Sequence, residues 1–280
     1  MIVLKNCKYG VFLYDSKDTT IGKDLDNYGE YSEGEVSLFK DVINIGDVVI
    51  EVGGNIGVHT IVFAKLVHIS GKVFVYEPQK NNYYTLCANI MLNHLEHVYA
   101  YQKAISNKKD VVNFPEVSTR NLNTSGTFGM KEDYSKFPTY PIETIPLDEL
   151  HTKCNFLKID AEFHSFEILT GAKKLIQKAK PLVYVEYADK KEYTNVYNFL
   201  KENNYQVYDH STHLYNKDNF SNNKINVHVN EEKKEEVSYM FLGVPDSYDW
   251  NYLSYLISKH NLKLIPSIDE KNMPYFSKDN

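Results

Sequence analysis

A glycine-rich stretch follows directly on a β-branched run in this sequence: Val48-Val49-Ile50-Glu51-Val52-Gly53-Gly54-Asn55-Ile56-Gly57-Val58-His59-Thr60. Glycines at 53, 54 and 57 let the backbone turn tightly and approach a ligand with no Cβ in the way. A helix that starts at such a turn presents its free N–H groups to whatever lies there. In an open α/β sheet, ligands bind in the crevice beyond the carboxyl end of that strand. A dinucleotide site asks for G-x-G-x-x-G, so that a pyrophosphate can sit on the helix N-terminus. Here the pattern is G-x-N-x-G, with Asn55 where a second glycine would relieve crowding by phosphate. Glu51 aims a carboxylate at the same crevice, which suits a cation better than an anion. S-adenosylmethionine carries a sulfonium and an ammonium group. The balance favours it over NAD.

A second acid is well spaced for a nucleoside. Glu77, in Val75-Tyr76-Glu77-Pro78, ends the next strand 24 positions after Gly53, where a carboxylate can accept hydrogen bonds from ribose hydroxyls. Methyl transfer from a sulfonium needs alignment of nucleophile, methyl carbon and sulfur. A hydroxyl acceptor also needs a base for its proton. Candidates at strand ends are Asp160, Glu162 and His164, followed by Glu186 and His59. His164 is attractive because imidazole titrates near neutral pH, although a polar residue in a first helical turn would read the same way. Asp160 and Glu162 lack a third oxygen donor that would make a hard-cation site, so no metal is expected. Tyr28, Tyr31, Tyr187 and Tyr215 are the tyrosines expected nearest the site.

These residues need a scaffold, and the chain alternates strand and helix patterns to supply one. Strand candidates are Val48–Val52, Lys72–Tyr76, Val98–Ile105, Asn155–Ile159, Pro181–Tyr187, Tyr205–Tyr208 and Ser238–Val244. Helix candidates are Val58–His68, Asn81–Asn93, Phe166–Ala179 and Lys191–Asn203. Such alternation implies an α/β fold, with a parallel sheet covered by helices on both faces. Residues 1–42 form an N-terminal extension with short strands and an amphipathic helix near Glu33–Val42. Residues 43–245 form the core, and 246–280 a C-terminal helical extension, all in one domain. Asn, Ser, Thr, Gly and Pro break the rhythm at 106–150, an insertion with room for a hairpin. That insertion and the segment 209–230 are long and polar enough to act as lids over an acceptor pocket. The run Glu231–Glu236 reads as a solvent-exposed loop.

Composition narrows the class further. Apolar residues make up 42% and charged residues 24%, as in ordinary globular proteins. The net charge of −6 argues against a large phosphate-binding surface. Cys7, Cys87 and Cys154 show neither metal-ligand nor disulfide spacing, which fits a reducing compartment. The apolar run at the N-terminus is too short for a signal peptide, and no stretch reaches the roughly 18 apolar residues of a membrane span. A cytoplasmic location is expected.

IEVGGNIGVHTIVFAKLV followed by VYEPQKNNYYTLCANI resembles the FkbM family of S-adenosylmethionine-dependent methyltransferases. The resemblance continues through YQKAIS at 101–106, FLKIDAEFHSFEILTGAKKLI at 156–176 and LVYVEY at 182–187. It also takes in YGEYSEGEVSLF near the start and LYNKDNF at 214–220, covering about residues 29–245. The resemblance implies a Rossmann-like class I methyltransferase fold, with a mostly parallel seven-stranded sheet and an antiparallel closing strand. It implies that Glu51, Gly53, Asn55, Gly57 and Thr60 line the methionine end of the cofactor, that Glu77 holds the ribose, and that Ala104 and Ile105 flank the adenine. Asp160 would serve the cofactor or the acceptor. It further implies O-methylation of a glycan or small-molecule hydroxyl. The family pattern Asp-x-Glu-Gly-x-Glu departs here, with Phe163 for the glycine and Ser165 for the last acid. That departure keeps a catalytically silent cofactor-binding module in view. A nucleic-acid methyltransferase is the other alternative, disfavoured by the charge and by the lack of an Asn/Asp-Pro-Pro-Tyr or Pro-Cys motif.

Overall fold

The computed structural model describes residues 1–116, 138–229 and 234–268. The chain opens with a hairpin, β1 (Ile2–Cys7) and β2 (Gly10–Asp15), then helices α1 (Ile21–Tyr28) and α2 (Glu33–Val42). Next come β3 (Val48–Val52), α3 (Val58–Val67), β4 (Lys72–Tyr76), α4 (Lys80–Leu92) and β5 (Val98–Tyr101). A separate three-stranded sheet follows from β6 (Ala104–Ile105), β7 (Asp110–Pro115) and β8 (Thr139–Ile145). The chain then runs through β9 (Phe156–Ile159), α5 (Ser165–Gly171), α6 (Lys173–Ala179), β10 (Leu182–Glu186) and α7 (Lys190–Glu202). It ends with β11 (Tyr205–His213), β12 (Val237–Pro245), α8 (Trp250–His260) and β13 (Lys263–Leu264).

The main sheet has the order β13-β11-β12-β10-β9-β3-β4-β5. Strands β5, β4, β3, β9 and β10 run parallel, and β12 enters antiparallel to both β10 and β11. The sheet is mostly parallel, with β12 and the short edge strand β13 reversed. It differs from the expectation in having eight strands, because Lys263–Leu264 adds a short edge to β11. The inner strands are buried on both faces, which is why Val48–Val52 and Phe156–Ile159 read as apolar runs rather than alternating ones. One core lies under α2, α3 and α8 around Val49, Phe63 and Phe156, and the other under α5, α6 and α7 around Ile50, Leu157 and Ile168.

Other departures have local causes. The expected strand Val98–Ile105 breaks after Tyr101, and its last two residues join the second sheet. The expected helix Phe166–Ala179 breaks at Ala172. There Asp148 accepts the backbone N–H groups of Lys174 and Leu175 at 3.0 and 2.8 Å, so a carboxylate caps a fresh helix N-terminus. Helix α1 was not expected from the sequence. The C-terminal extension is a helix and then a strand, and its residues 269–280 lie outside the described ones. So do 117–137 of the insertion, whose described flanks β7 and β8 pair antiparallel, and 231–233 of the acidic run. The rest of that run is not simply solvated: Glu235 pairs with His213 at 3.0 Å and Glu236 with His228 at 2.8 Å. Among the described residues, no helix is long and apolar enough to cross a membrane.

Candidate active site

One cleft at the carboxyl ends of β3, β4, β9 and β10 gathers most of the residues that the sequence singled out. Its floor is the glycine turn. Gly53 has φ 85°, Asn55 φ 48° and Gly57 φ 90°, so three residues lie in the left-handed region that favours glycine and that asparagine tolerates. Asn55 thus does in the turn the backbone work of a glycine. A Cβ on Gly53 would stand 1.8 Å from the Asp160 carbonyl oxygen, and one on Gly57 2.6 Å from Leu86 Cδ1. The backbone after β9 closes on Gly53 and the Leu86 side chain of α4 on Gly57.

Glu77 closes one side. Its two oxygens accept the backbone N–H groups of Asn55 and Gln79, each at 2.8 Å, which leaves lone pairs free on both. Burial pushes its carboxyl up to about 7, against the lowering effect of those two N–H groups. Ala104, Ile105, Phe114 and Pro78 make an apolar wall beside it, a suitable berth for a flat aromatic base.

The opposite end is ionic and is built on Lys158. This lysine lies mid-strand in β9 with a side chain only 2% exposed, a position lysine seldom takes unless paired. The sheet register places it beside Glu51 of β3 and Tyr184 of β10, and therefore puts Asp160 next to Glu186 at the strand ends. Lys158 Nζ lies 2.8 Å from Asp160 Oδ2 and 3.9 Å from Glu51 Oε1. Burial would raise Asp160, but Lys158 outweighs it and holds the carboxyl below its usual range, with Glu186 donating a further hydrogen bond. Glu186 is pushed well above the usual range by burial and by the Asp160 charge, so this pair shares one proton. Burial raises Glu51 to about 7 despite Lys158 and the Thr60 hydroxyl, which donates to it at 2.5 Å. Glu35 of α2 completes the ring, accepting from Ser32 and Ser238 hydroxyls at 2.7 and 2.8 Å.

His164 and Glu162 line the cleft on the α5 side. His164 Nε2 sits 3.1 Å from Ser106 Oγ, and Nδ1 lies 3.8 Å from Glu167. His59 is also at the cleft, held neutral with its pKa near 3, about as burial and then the Lys158 charge dictate. Thr60 and Gly57 do not line it; Thr60 is fully buried behind Glu51. Of the four tyrosines only Tyr31 reaches the cleft. Tyr187 donates to Asp209 at 3.0 Å, and Tyr28 packs against Tyr215 with tilted rings whose centres are 5.4 Å apart. No described residue of 209–230 lines the cleft either, because that segment is bound to α1 instead: Ser221 N–H donates to Tyr28 O at 3.0 Å and Lys23 Nζ to Val227 O at 2.8 Å. Sequence reasoning missed Lys158, Glu35 and Gln79. For Lys158 the signal was present, a lone cation inside the apolar strand FLKI.

The sequence matches the profile described as Methyltransferase FkbM domain over residues 51–207, more than half of the chain. The chain belongs to the FkbM methyltransferase family. No curated protein matches it. Among solved structures it is similar to a methyltransferase FkbM from Methylobacillus flagellatus, with 14% identity and a TM-score of 0.48, covering 70% of this chain and 43% of that one. It is similar to a precorrin-6y C5,15-methyltransferase from Geobacter metallireducens, with 13% identity and a TM-score of 0.46 over 76% of this chain and 87% of that one. It is also similar to a SAM-dependent O-methyltransferase from Thermotoga maritima, with 14% identity and a TM-score of 0.43 over 78% and 66%. The chain spans less than half the length of the Methylobacillus protein.

The cofactor of this FkbM methyltransferase is S-adenosylmethionine, and the cleft fits it. Three buried polar atoms at the cleft, Asn55 Oδ1, Gln79 Nε2 and His59 Nε2, have no partner. Such atoms are costly to leave unmade and are natural contacts for a polar ligand. The glycine turn offers a cradle that side chains would fill, and the acid-rich end suits a cation.

Phe163, where the family has glycine, keeps the backbone a glycine would adopt, with φ 56°. The turn survives the substitution at the expense of strain, roughly 1–2 kcal/mol for a left-handed non-glycine residue. Ser165 lacks the family acid, but Glu192 of α7 reaches across and accepts the Ser165 N–H at 2.6 Å, supplying a carboxylate at that helix start. Phe163→Gly and Phe163→Ala both remove the ring, yet only glycine relieves the strain. The glycine variant should therefore be more stable than the alanine variant by about 1 kcal/mol, read by chemical denaturation; an alanine variant equal or superior would mean that the turn is unstrained.

Proposed function

We propose that the protein transfers a methyl group from S-adenosylmethionine to a hydroxyl on a glycan or small molecule. The observation that carries this reading is the Asp160 carboxyl, which is paired with Lys158 at 2.8 Å and yet has a side chain 39% exposed. It opens into the cleft between the glycine turn and His164. A hydroxyl acceptor must lose a proton, and this end of the cleft offers groups able to take one.

In this reading Glu51, Gly53 and Asn55 border the methionine end of the cofactor, with Gly57 shaping the turn and Thr60 fixing Glu51 from behind. Glu77 accepts from the ribose, and Ala104 and Ile105 flank the adenine. The bound cofactor supplies a methyl carbon made electrophilic by the adjoining sulfonium. The chain's own residues orient the acceptor and move its proton. Asp160 or His164 receives it, Glu162 on the cleft wall orients the acceptor, and Lys158 keeps Asp160 in its ionised form. Asp110–Pro115 and Thr139–Ile145 bring the insertion to the cleft through Phe114, while 209–230 buttresses α1.

The test is transfer of a labelled methyl group to a panel of glycans and small hydroxyl compounds. His164→Ala should lower turnover by about 10²–10⁴-fold if the imidazole is the base, while affinity for S-adenosylhomocysteine is kept. An unchanged rate dismisses His164 from that role, and label found only on nitrogen would overturn the hydroxyl.

A further inference from the structure

The charges lining the cleft do not balance. Among the described lining residues there are six carboxyl groups, Glu35, Glu51, Glu77, Asp160, Glu162 and Glu186, against two lysines, Lys103 and Lys158. Lys103 is already bonded to Glu143, so Lys158 is left to compensate a ring contributed by four elements. Glu35 comes from α2, Glu51 from β3, Asp160 and Glu162 from the end of β9, and Glu186 from β10. Of the other groups facing the ring, Tyr31 is a phenol and His59 stays neutral, while the His164 imidazole on the α5 side is turned to Ser106 and to Glu167, 3.1 and 3.8 Å away. One ammonium cannot neutralise so many carboxylates in a site of low dielectric, so part of the ring holds protons. His59 points independently to a ligand here. It is 95% buried, since its exposure is 5%, and its Nε2 has no partner at the cleft wall.

We propose that this ring is a charge-compensating site that sheds a proton when the sulfonium charge enters the cleft and keeps it when that charge is absent, and so selects the sulfonium cofactor over its thioether product. S-adenosylmethionine bears one positive charge more than S-adenosylhomocysteine, and the two are otherwise alike in shape. A cation in the cleft favours the ionised carboxyls, as a neighbouring opposite charge always does. The proton leaves Glu51 or the Asp160–Glu186 pair, the groups nearest Lys158 that carry one. With a hydroxyl acceptor, a step that rests on the function proposed above, the return is balanced. The acceptor O–H bond breaks and an O–C bond forms, the C–S bond breaks with its electron pair left on sulfur, and the proton goes to the ring. Positive charge is conserved in the cleft while the sulfonium charge is lost.

The sign follows from linkage. The protonated ring resists the cation, so affinity for S-adenosylmethionine rises with pH until the ring is ionised, through the region around pH 7 set by Glu51. Affinity for S-adenosylhomocysteine stays nearly flat. Calorimetric titration of the whole protein with each compound, in phosphate and in Tris, reads the protons released per ligand bound. At pH 6.5 we expect most of one proton for S-adenosylmethionine and near none for S-adenosylhomocysteine. The affinity ratio should climb by up to about tenfold per pH unit between pH 5.5 and 7. Glu186→Gln imitates the protonated carboxyl and should fold normally, as should Glu51→Gln; together they should flatten the ratio. Equal proton counts for both ligands, or a ratio independent of pH, overturns the proposal while leaving the cofactor in place. Failure of both ligands to bind overturns the cofactor site itself.

Discussion

Lys158→Met is expected to destabilise the protein by about 3–5 kcal/mol at pH 8 and by much less at pH 5. Methionine fills nearly the same volume, so the loss is of charge and not of packing. Lys158 is 2% exposed and is bonded to Asp160 at 2.8 Å. Removing it leaves the fully buried Glu51 and the half-buried Asp160 without a counter-ion, and breaking a buried ion pair is costly. The pH dependence has a definite sign. Without Lys158 the Asp160 carboxyl loses the charge that holds it below its usual range and burial raises it above its unfolded value, while Glu51, already raised, climbs further. Groups of that kind contribute stability that is present below the unfolded pKa and lost as pH rises through the folded one. At pH 5 the acids of the variant are protonated in the fold and cost little; at pH 8 they must ionise unpaired or stay protonated against the solution. Urea denaturation at the two pH values measures the difference, and an equal loss at both would show that Lys158 does not neutralise this ring.

Glu77→Ala is expected to weaken S-adenosylhomocysteine binding by at least about a hundredfold. The carboxylate does two things at once, and the variant loses both. It accepts the Asn55 and Gln79 N–H groups, which hold the glycine turn against the loop after β4. Its remaining lone pairs face the cleft where the ribose is proposed to lie. A hydrogen bond to a charged partner is worth about 1.5–3 kcal/mol, so loss of the ribose contact alone reaches a large part of the expected effect. Glu77→Gln keeps the shape and one acceptor oxygen, and should fall between the two. Calorimetric binding to the wild type and both variants decides the matter. Unchanged affinity in Glu77→Ala would remove Glu77 from the ribose role.

The order of strands and helices, the glycine turn and the family were all legible in the residues. Each depends on short-range rules: β-branched runs for buried strands, glycine for tight turns, and the 24 positions from Gly53 to Glu77 that carry the chain through one strand–helix–strand unit. Misplaced element ends share a cause, since a distant group decided them. Asp148 splits the helix after Ala172, and the second sheet takes Ala104 and Ile105 away from β5. The chemistry of Asn55 was readable as a polar side chain, but its left-handed backbone was not, because its N–H is held by Glu77, 22 residues further along the chain.

What only the tertiary structure decided is the company that Glu51 keeps. In the sequence it was a lone carboxylate two residues before the turn, aimed at a cation. In the fold, the register of β3 on β9 sets it beside Lys158, 107 residues further along the chain, and β10 adds Glu186 to Asp160. Pairings between parallel strands join segments separated by whole helices, and no local pattern encodes them. The sequence by itself therefore determined the turn that receives the cofactor. The sheet register determined the charge of the cleft around it, because electrostatic energy in a buried site depends on distances across strands and not on spacing along one.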